Sequence, residues 1–408
     1  MFKSEFLKIM SERGFINHGT DLEGLDKLMS EEKIAAYIGF DCTAPSLHVG
    51  SLIQLMVLRW LQQCGHKPIV LLGGATTRVG DPSGKDETRK VIPEAEIKSN
   101  MEGIKQLIGR FVTIGSGSSD VVIVNNEDWL KGMDILDFAT GPGSHFSINR
   151  MLTMDSVKSR LEREQHLSFM EFIYMMLQSY DFAHLAAMYG CQLQIGGSDQ
   201  WGNITGGVKL CNSMGIKFPV FGLTTPLLTT PDGKKMGKTA TGAVWLDPKL
   251  TSSYDFWQFW RNVDDKDVSR FFKLFTDCEI DTSNTDINSL KKILATEVTR
   301  ICHGVENARS ALETARQIFE LGGIGDDLET FAIPQGPILL RELLLESGLV
   351  KSIREAKDLI TQGGIRLDGE VVTQIDYIFA FDGEPVKLSK GKKVHIKLIE
   401  EIVESSDD

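Results

Sequence analysis

The sequence predicts an α/β fold, and three features of the chain support that prediction. Strand-like and helix-like segments alternate along the first half, which is typical of β–α–β crossovers and a parallel sheet with helices on both faces. Polar and glycine residues follow each strand-like segment. From about Leu250 the apolar residues recur at helical spacing with no strand between them. We therefore predict a Rossmann-like parallel-sheet domain, then an α-helical domain, then a small α+β domain.

Four short apolar runs bounded by turn residues predict the strands of the sheet. These runs are residues 33–41, 67–75, 120–130 and 191–199. Helical periodicity separates them over residues 51–66, 95–111 and 169–190. Ligands of parallel sheets bind beyond the carboxyl ends of the strands. The polar residues that follow the four strands are therefore predicted to share one cleft.

The second half of the chain is predicted to hold two further domains. Amphipathic helices are expected over residues 252–263, 267–275, 287–304 and 305–320. A Gly- and Pro-rich stretch without periodicity then predicts a linker. After it we expect helices over 338–348 and 352–363, and short strands over 364–369, 370–372 and 393–399. The predicted domain ranges are 1–247, 248–322, 323–337 for the linker and 338–408.

Composition and charge exclude several classes of protein. No apolar run approaches the ~20 residues needed to span a bilayer, so we expect no membrane association. The six cysteines are scattered without a C-x-x-C pair, which predicts no structural zinc and a reducing, cytoplasmic location. The net charge of −12 argues against indiscriminate binding of nucleic acid. Residues 338–399 carry 10 Lys/Arg and 9 Asp/Glu, so a local basic patch there still suits a polyanion.

Two common nucleotide-binding motifs are missing from the sequence. "GDPSGK" has three residues between Gly80 and Gly84 where a P-loop needs four, and no G-x-G-x-x-G follows the first strand. The stretch "HVGS", His48 to Ser51, lies instead at a predicted helix start, where free N–H groups favour an anion. Gly50 would let a flat ring approach the backbone, and His48 would donate to a phosphate. The alternative is a histidine that only caps the helix.

A second phosphate-oriented signal is the loop "TTPDGKKMGKTATGAVWLD", residues 229–247. Its lysines, Lys234, Lys235 and Lys238, are flanked by glycines. Such a loop would close on a triphosphate and neutralise the charge that develops on leaving pyrophosphate. A solvated basic turn is the alternative for three lysines.

A third pattern is a polar stripe on an apolar helix. Tyr174, Gln178 and Asp181 are spaced at i, i+4 and i+7, which places them on one helix face. Buried hydrogen-bonding groups need partners, so the stripe predicts either a polar seam against another helix or a pocket for a small polar ligand. Asp81, after the second strand, would join such a pocket.

These stretches together resemble one known family. "HVGS" and "KMGKT" look like the two signature sequences of class I aminoacyl-tRNA synthetases. "YIGFDCTAPSLHVGSL", "GGATTRVGDPSGK", "YMMLQSYDF" and "LQIGGSDQWGNI", in that order, are similar to the bacterial type of tyrosyl-tRNA synthetase. "SIREAKDLITQGGIRLDGEVV" resembles the small RNA-binding module at the C-terminus of those enzymes.

The resemblance implies a role for each candidate residue at the tyrosine end of the site. Tyr37 and Asp181 would bind the phenol. Tyr174, Asp81 and Gln178 would hold the α-ammonium group. The carboxylate and ribose would be positioned by Asp41, Gln200 and Asn126.

At the ATP end the resemblance implies two sets of residues, one binding and one catalytic. ATP would be bound by Asp41, Gly50, Gly197, Asp199, Lys235 and Lys238. The catalytic set comprises His48, Thr43 and Ser51 at the first helix, with Lys235, Lys238 and Thr239 on the β- and γ-phosphates.

The implied function is that of a tyrosine–tRNA ligase. Tyrosine and ATP would give tyrosyl-adenylate and pyrophosphate, and the tyrosyl group would then pass to the 3′-terminal ribose of tRNA(Tyr). Mg²⁺ would accompany ATP without a dedicated protein site. A homodimer is expected through the apolar stretch 133–152. Three alternatives stay open: a tryptophan enzyme of the same subclass, a small-molecule adenylyltransferase, and a catalytically inactive RNA-binding relative.

Overall fold

The computed structural model describes most of the chain, which forms two compact units. The described residues are 1–82, 92–230, 233, 236–239, 242–278, 285–319, 324–325, 328–334, 336–391 and 394–400, without the side chains of residues 155, 156, 238 and 239. The first unit comprises Met1–Leu250 and Val263–Leu294, and the second comprises Thr251–Asn262 and Ala295–Asp408. This division does not test the three predicted domains, which stay a prediction.

Helices account for much of the described chain, and the long predicted ones are confirmed. In chain order they are α1 (Glu5–Arg13), α2 (Leu22–Glu31), α3 (Leu52–Gln63), α4 (Thr76–Val79), α5 (Glu94–Ile108), α6 (Glu127–Leu130), α7 (Ile135–Thr140), α8 (Ile148–Met151), α9 (Asp155–Glu162), α10 (Phe169–Tyr189), α11 (Trp201–Ser213), α12 (Ser253–Arg261), α13 (Asp265–Phe275), α14 (Ile287–His303), α15 (Val305–Phe319), α16 (Leu340–Glu346) and α17 (Ile353–Thr361). Within the described residues, none of these helices is both long and apolar enough to cross a membrane.

The strands of the first unit build one main sheet and a small ribbon. They are β1 (His18–Gly19), β2 (Ala35–Phe40), β3 (Lys67–Leu72), β4 (Val122–Asn125), β5 (Cys191–Gly197), β6 (Phe221–Thr225), β7 (Lys238–Thr239) and β8 (Gly242–Ala243). The sheet order is β1-β6-β5-β2-β3-β4, and β7 pairs with β8. All pairs in the main sheet are parallel except β1 with β6.

The prediction of a parallel α/β sheet is confirmed, with one parallel strand more than expected. The four predicted runs form β2, β3, β4 and β5. Strand β6 was missed because its residues, "FGLTT", are few and mostly not β-branched aliphatics. The chain leaves β2 toward β3 on one side and returns as β5 on the other, so the switch point lies between β2 and β5.

The C-terminal part of the second unit is an α+β domain. Its strands are β9 (Thr330–Ile333), β10 (Ile338–Leu339), β11 (Ile365–Leu367), β12 (Glu370–Val372), β13 (Ile378–Phe379), β14 (Val386–Lys390) and β15 (Val394–Glu400). Five of them form a sheet in the order β12-β11-β14-β15-β9. Its core includes Leu340 and Leu344 from α16, Ile360 from α17, and Leu388 and Leu398 from the sheet.

Part of the predicted linker belongs to this sheet. Residues 330–333 form β9, which pairs in parallel with β15. The expectation that this segment only joins two domains is therefore wrong for these four residues. The strand is too short to show a period of two, and the Gly- and Pro-rich residues around it hide the pattern.

A buried ion pair fixes the start of α10, the helix that carries the polar stripe. Arg160 on α9 contacts Glu171 with 3.1 Å between Nη1 and Oε1, and both side chains are almost fully buried. Glu171 also accepts from the backbone and hydroxyl of Ser168, while the Ser168 hydroxyl accepts from the Glu171 N–H, which completes a capping box. The position of α10 therefore depends on a charge pair that has little access to water.

We predict that Glu171→Gln destabilises the protein by about 3 kcal/mol, because it leaves the Arg160 charge buried without its partner while keeping a side chain able to cap the helix. The matched control is Glu162→Gln on α9, which breaks the exposed pair with Lys158 and is expected to cost less than about 0.5 kcal/mol. Urea unfolding of both variants measures the difference. Equal effects of the two substitutions would contradict the prediction.

Candidate active site

The predicted site residues gather at the carboxyl edge of the sheet, beside its switch point. Asp41 follows β2, Asn126 follows β4, and Gln200 follows β5 in a short 3₁₀ turn. Thr76, which the sequence did not single out, lies shortly after β3 at the same edge. The stripe on α10 faces the same edge, since its side chains bond to these residues. The structure thus brings these strand ends together, and that they line one ligand-binding cleft stays a prediction.

A chain of hydrogen bonds connects two buried or half-buried carboxylates. The Tyr174 hydroxyl donates to Asp41 Oδ2 at 3.1 Å, and the Thr76 hydroxyl donates to Asp41 Oδ1 at 3.0 Å. The Asn126 amide nitrogen then donates both to Thr76 Oγ1 at 2.9 Å and to Asp181 Oδ2 at 3.0 Å. Asp41 and Asp181 are therefore linked through only two intervening side chains.

The direction of these bonds is fixed by Asn126, which is fully buried. Its amide oxygen accepts from the backbone N–H of Ala75 at 2.9 Å, so the amide nitrogen must face the other way. Both N–H bonds of that nitrogen are used, one on Thr76 and one on Asp181. The Thr76 oxygen thus accepts from Asn126, and its single proton is committed to Asp41.

Asp181 is a carboxylate buried at 2% exposure with two donors of its own. Trp129 Nε1 donates to Oδ1 at 2.8 Å, and Asn126 donates to Oδ2. The Trp129 ring is held in turn by stacking on His184, with ring centroids 4.4 Å apart. Burial raises the pKa of Asp181 to about 7 although both hydrogen bonds lower it, and the nearby charge of Asp41 raises it further.

Tyr37 points its phenol into the same buried region. Its ring packs against Phe182 with centroids 5.4 Å apart. Burial and the neighbouring Asp181 charge raise its pKa well above the usual range. Within the described residues its hydroxyl has no hydrogen-bond partner. A buried hydroxyl without a partner is costly, so this atom fits a site that a polar ligand group completes.

A second polar network involves the other predicted residues near α10. Gln200 Nε2 donates to Asp81 Oδ2 at 2.7 Å. Asn203 Nδ2 donates to Gln178 Oε1 at 2.9 Å and to Gln200 Oε1 at 3.2 Å. Asn203, on α11, thus joins Gln178 to Gln200, and Gln200 in turn bonds Asp81.

The two signature stretches meet at the start of α3. The Gly50 N–H donates to His48 Nδ1 at 2.9 Å, in a 3₁₀ turn that precedes the helix. A Cβ on Gly237 would lie 2.9 Å from that nitrogen and 3.0 Å from Gly50 N, and the Gly237 φ of +102° also requires glycine. The Val49 N–H donates to the carbonyl of Val244, which ties the β7–β8 ribbon to the helix start.

The other predicted residues lie around this meeting point. Thr43 is exposed, and Ser51 donates its N–H to the His48 carbonyl without capping α3 through its side chain. Gly197 ends β5 where a Cβ would press on Asp199 and Leu227. Lys235 lies outside the described residues. For Lys238 and Thr239 only the backbone, in β7, is described.

Three residues of the networks are not among those predicted from the sequence. Thr76 and Asn203 each join two predicted residues, and Trp129 bonds one, Asp181, but none of the three carries a signature of its own. Two lie in polar strand ends, where "ATT" and "NNEDWL" suggested no individual roles. Only the folded contacts single them out.

The comparisons with known proteins agree with this architecture. The family described as tRNA synthetases class I (W and Y) matches residues 29–320, and the S4 domain family matches residues 340–384. A tyrosine–tRNA ligase of Beijerinckia indica is 50% identical over 409 residues, covering 97% of each chain. One of Ruegeria pomeroyi is 51% identical over 405 residues, covering 96% of this chain and 97% of the relative.

A solved structure is similar as well. A C-terminally truncated mitochondrial tyrosyl-tRNA synthetase of Aspergillus nidulans aligns with a TM-score of 0.69 and 32% identity. The alignment covers 77% of this chain and 94% of that one.

We predict that the raised pKa of Asp181 makes the stability of the ligand-free protein depend on pH. Between about pH 4 and pH 7 the folded state keeps a proton that the unfolded state releases, so stability falls as pH rises. Asp181→Asn removes this titration. The free energy of unfolding of the variant, relative to wild type, should therefore rise by roughly 3 kcal/mol across the window and level off above about pH 7.

Denaturant unfolding of both proteins at pH 5, 6, 7 and 8 measures this difference. The contributions of the other carboxylates to the pH dependence cancel in this difference, because both proteins contain them. A constant offset between the two pH profiles would contradict the prediction.

Proposed function

This chain belongs to the class I tRNA synthetases of the tryptophan and tyrosine group, and we propose that its buried polar network selects tyrosine and holds it for reaction with ATP. The function is that of a tyrosine–tRNA ligase. Tyrosine and ATP give tyrosyl-adenylate and pyrophosphate, and the tyrosyl group then passes to the terminal ribose of tRNA. The roles of individual residues in binding and catalysis are our proposal.

Recognition of the phenol rests on the pair Tyr37 and Asp181. The substrate O–H would donate to Asp181, and its oxygen would accept from the Tyr37 hydroxyl. The observation that carries this proposal is the buried Tyr37 hydroxyl, which lacks a partner among the described residues next to a carboxylate with two oxygens already oriented. Phenylalanine would leave both groups buried without a substrate partner, which is a strong basis for rejection.

The amino-acid end of tyrosine would be held by the two networks together. Tyr174, Asp81 and Gln178 would surround the α-ammonium group, and their present bonds to Asp41, Gln200 and Asn203 keep them in place. The tyrosine carboxylate and the ATP ribose would be positioned by Asp41, Gln200 and Asn126. Asn126 would do so indirectly, through its bonds to Thr76 and Asp181. Catalysis at this end would consist of orientation rather than proton transfer, because the attacking carboxylate is already ionised.

ATP would bind across the switch point, between the start of α3 and the lysine loop. Because His48 Nδ1 accepts from Gly50, the ring proton belongs on Nε2, the atom proposed to donate to a phosphate. Gly50, Gly197 and Asp199 would line the nucleotide. The helix start adds the positive end of the α3 dipole, which favours negative charge, with Thr43 and Ser51 beside it.

The charge on leaving pyrophosphate would be neutralised by Lys235 and Lys238, with Thr239 as a further donor. The contact of Gly237 with His48 and Gly50 supports this, because it brings the lysine loop to the helix start. Removing one such donor from a reaction of this kind typically costs ~3 kcal/mol, or on the order of 100-fold in rate.

Mg²⁺ would enter as part of the ATP complex. Among the residues that the structure describes, no group of three or more His, Cys, Asp or Glu side chains is placed to hold a metal ion. We propose that phosphate oxygens and water supply most of its ligands, as is usual for this ion.

The tRNA partner follows from the family and from the S4 domain matched at residues 340–384. We propose that this small domain contacts the tRNA away from the acceptor end.

The six cysteines are all free thiols, which supports the proposed cytoplasmic location.

We also propose a homodimer through the stretch 133–152 and the neighbouring parts of α9 and α10. Large apolar side chains are exposed there: Ile135, Leu136, Ile148, Leu152, Leu161, Phe169 and Met170. Clustered exposed apolar side chains usually mark an interaction surface.

The tryptophan alternative has less support than tyrosine. The proposed pocket ends in a carboxylate, Asp181, and a hydroxyl, Tyr37, which together suit a phenol that both donates and accepts. An indole N–H donates only, so it would leave the Tyr37 hydroxyl without an acceptor.

The function is tested by amino-acid-dependent ATP–pyrophosphate exchange. We expect exchange with tyrosine alone among the amino acids, and a loss of at least about 100-fold in Asp181→Ala. The matched control is Asp26→Ala, which removes a carboxylate bonded to Lys3 and Ser4 elsewhere in the same unit and should retain exchange. Folded wild-type protein without exchange would leave the inactive RNA-binding alternative.

The dimer is tested by sedimentation at micromolar concentration. We expect about twice the 45.3 kDa chain mass for the wild type and a monomer for Ile148→Glu, because a charge would then be buried in the interface. Met188→Glu is the matched control, since Met188 is a comparably exposed apolar residue outside the proposed surface. A wild-type mass near 45.3 kDa would exclude the dimer.

A further inference from the structure

Thr76 occupies the centre of the network that joins the two carboxylates. It opens the short helix α4 and is 2% exposed. Its hydroxyl donates to Asp41 and accepts from Asn126. Asn126 also donates to Asp181, the residue proposed to bind the phenol. The Thr76 hydroxyl therefore connects Asp181, through Asn126, to Asp41, the residue proposed to orient the substrate carboxylate.

The backbone around Thr76 is shaped for its bond to Asp41. A Cβ on Gly73, which follows β3, would collide with both the Thr76 hydroxyl and the Asp41 carboxylate. A substitution at Gly73 would therefore push these two groups apart. The absence of a side chain at this position keeps the donor and acceptor in direct contact.

The neighbouring Thr77 shows what an ordinary structural threonine does here. It is buried to a similar degree, and its hydroxyl accepts from the Cys42 N–H at 2.7 Å. That bond ties α4 to the residue after Asp41, yet it does not lead to Asn126 or Asp181. Two adjacent buried threonines thus differ in one respect: only Thr76 joins the two carboxylates.

We propose that Thr76 is a positioning residue that couples recognition of the phenol to the orientation of Asp41. When the phenol donates to Asp181, Asn126 stays fixed and the Thr76 proton points to Asp41. With phenylalanine bound instead, Asp181 faces an apolar ring in place of a donor and draws the Asn126 amide toward it. The bond from Asn126 to Thr76, which keeps the Thr76 proton directed at Asp41, is then weakened. Discrimination against phenylalanine would then operate in the adenylation step as well as in binding.

This inference rests on the proposed function and makes a separate prediction about kinetics. Thr76→Val keeps the shape of the side chain but removes both hydrogen bonds, and Thr76→Ser keeps the hydroxyl. The readout is kcat and KM for ATP–pyrophosphate exchange with tyrosine and with phenylalanine. We expect Thr76→Val to lower kcat with tyrosine about tenfold, change kcat with phenylalanine less than about twofold, and leave KM for tyrosine within about threefold.

The serine variant should restore kcat with tyrosine to within about threefold of wild type. Thr77→Val is the matched control, and it should affect tyrosine and phenylalanine equally. If Thr76→Val fails to fold by circular dichroism, the comparison of Thr76→Ser with Thr76→Ala provides the same test. Serine and alanine differ only in the hydroxyl, although both are smaller than the threonine they replace.

Two outcomes would overturn the inference while leaving the function intact. If Thr76→Val lowers kcat equally for tyrosine and phenylalanine, Thr76 has only a structural role. If Thr76→Val leaves the kinetics unchanged, Thr76 has no role in positioning. A wild type without tyrosine-dependent exchange would instead overturn the proposed function itself. The wild-type measurement therefore separates the two failures.

Discussion

The burial of Asp181 is the constraint on which the site depends. Removal from water raises the pKa of a carboxyl group, and donors to its oxygens oppose that rise and so favour the ionised form that can accept from a phenol. Trp129 and Asn126 supply those donors, and each is itself held in place, one by stacking on His184 and one by the backbone of Ala75. The side chains at this end of the site are therefore arranged around the need of one buried carboxylate for hydrogen-bond donors.

The parallel sheet supplies the positions from which this charge is satisfied. Consecutive strands β2, β3 and β4 end side by side, so residues distant in sequence, such as Asp41, Thr76 and Asn126, become hydrogen-bonded neighbours. On the other side of the switch point, β5 ends in the turn that carries Gln200. The site is thus assembled from short segments that the sheet aligns, rather than from one continuous motif.

Much of the fold and the membership of the cleft could be predicted from the sequence, because alternation, strand-end polarity and helical spacing are local patterns. The residues that link the predicted side chains to one another could not be predicted in this way. Thr76, Trp129 and Asn203 act through contacts that exist only after folding, and nothing in their local sequence marks them. Strand β9 was missed for a similar reason, since its four residues pair with β15, which lies far along the chain. Long-range pairing decides such cases, not local pattern.

The double donation by Asn126 has a consequence for how the amino-acid specificity of this protein changes by mutation. Replacing Asp181 by a residue without two acceptor oxygens leaves at least one oriented donor, from Asn126 or Trp129, without an acceptor. Such a change is penalised until its neighbours change as well, so the three positions are epistatic. Paths to a new substrate must therefore pass through coordinated changes at several strand ends, which makes the present specificity resistant to single mutations.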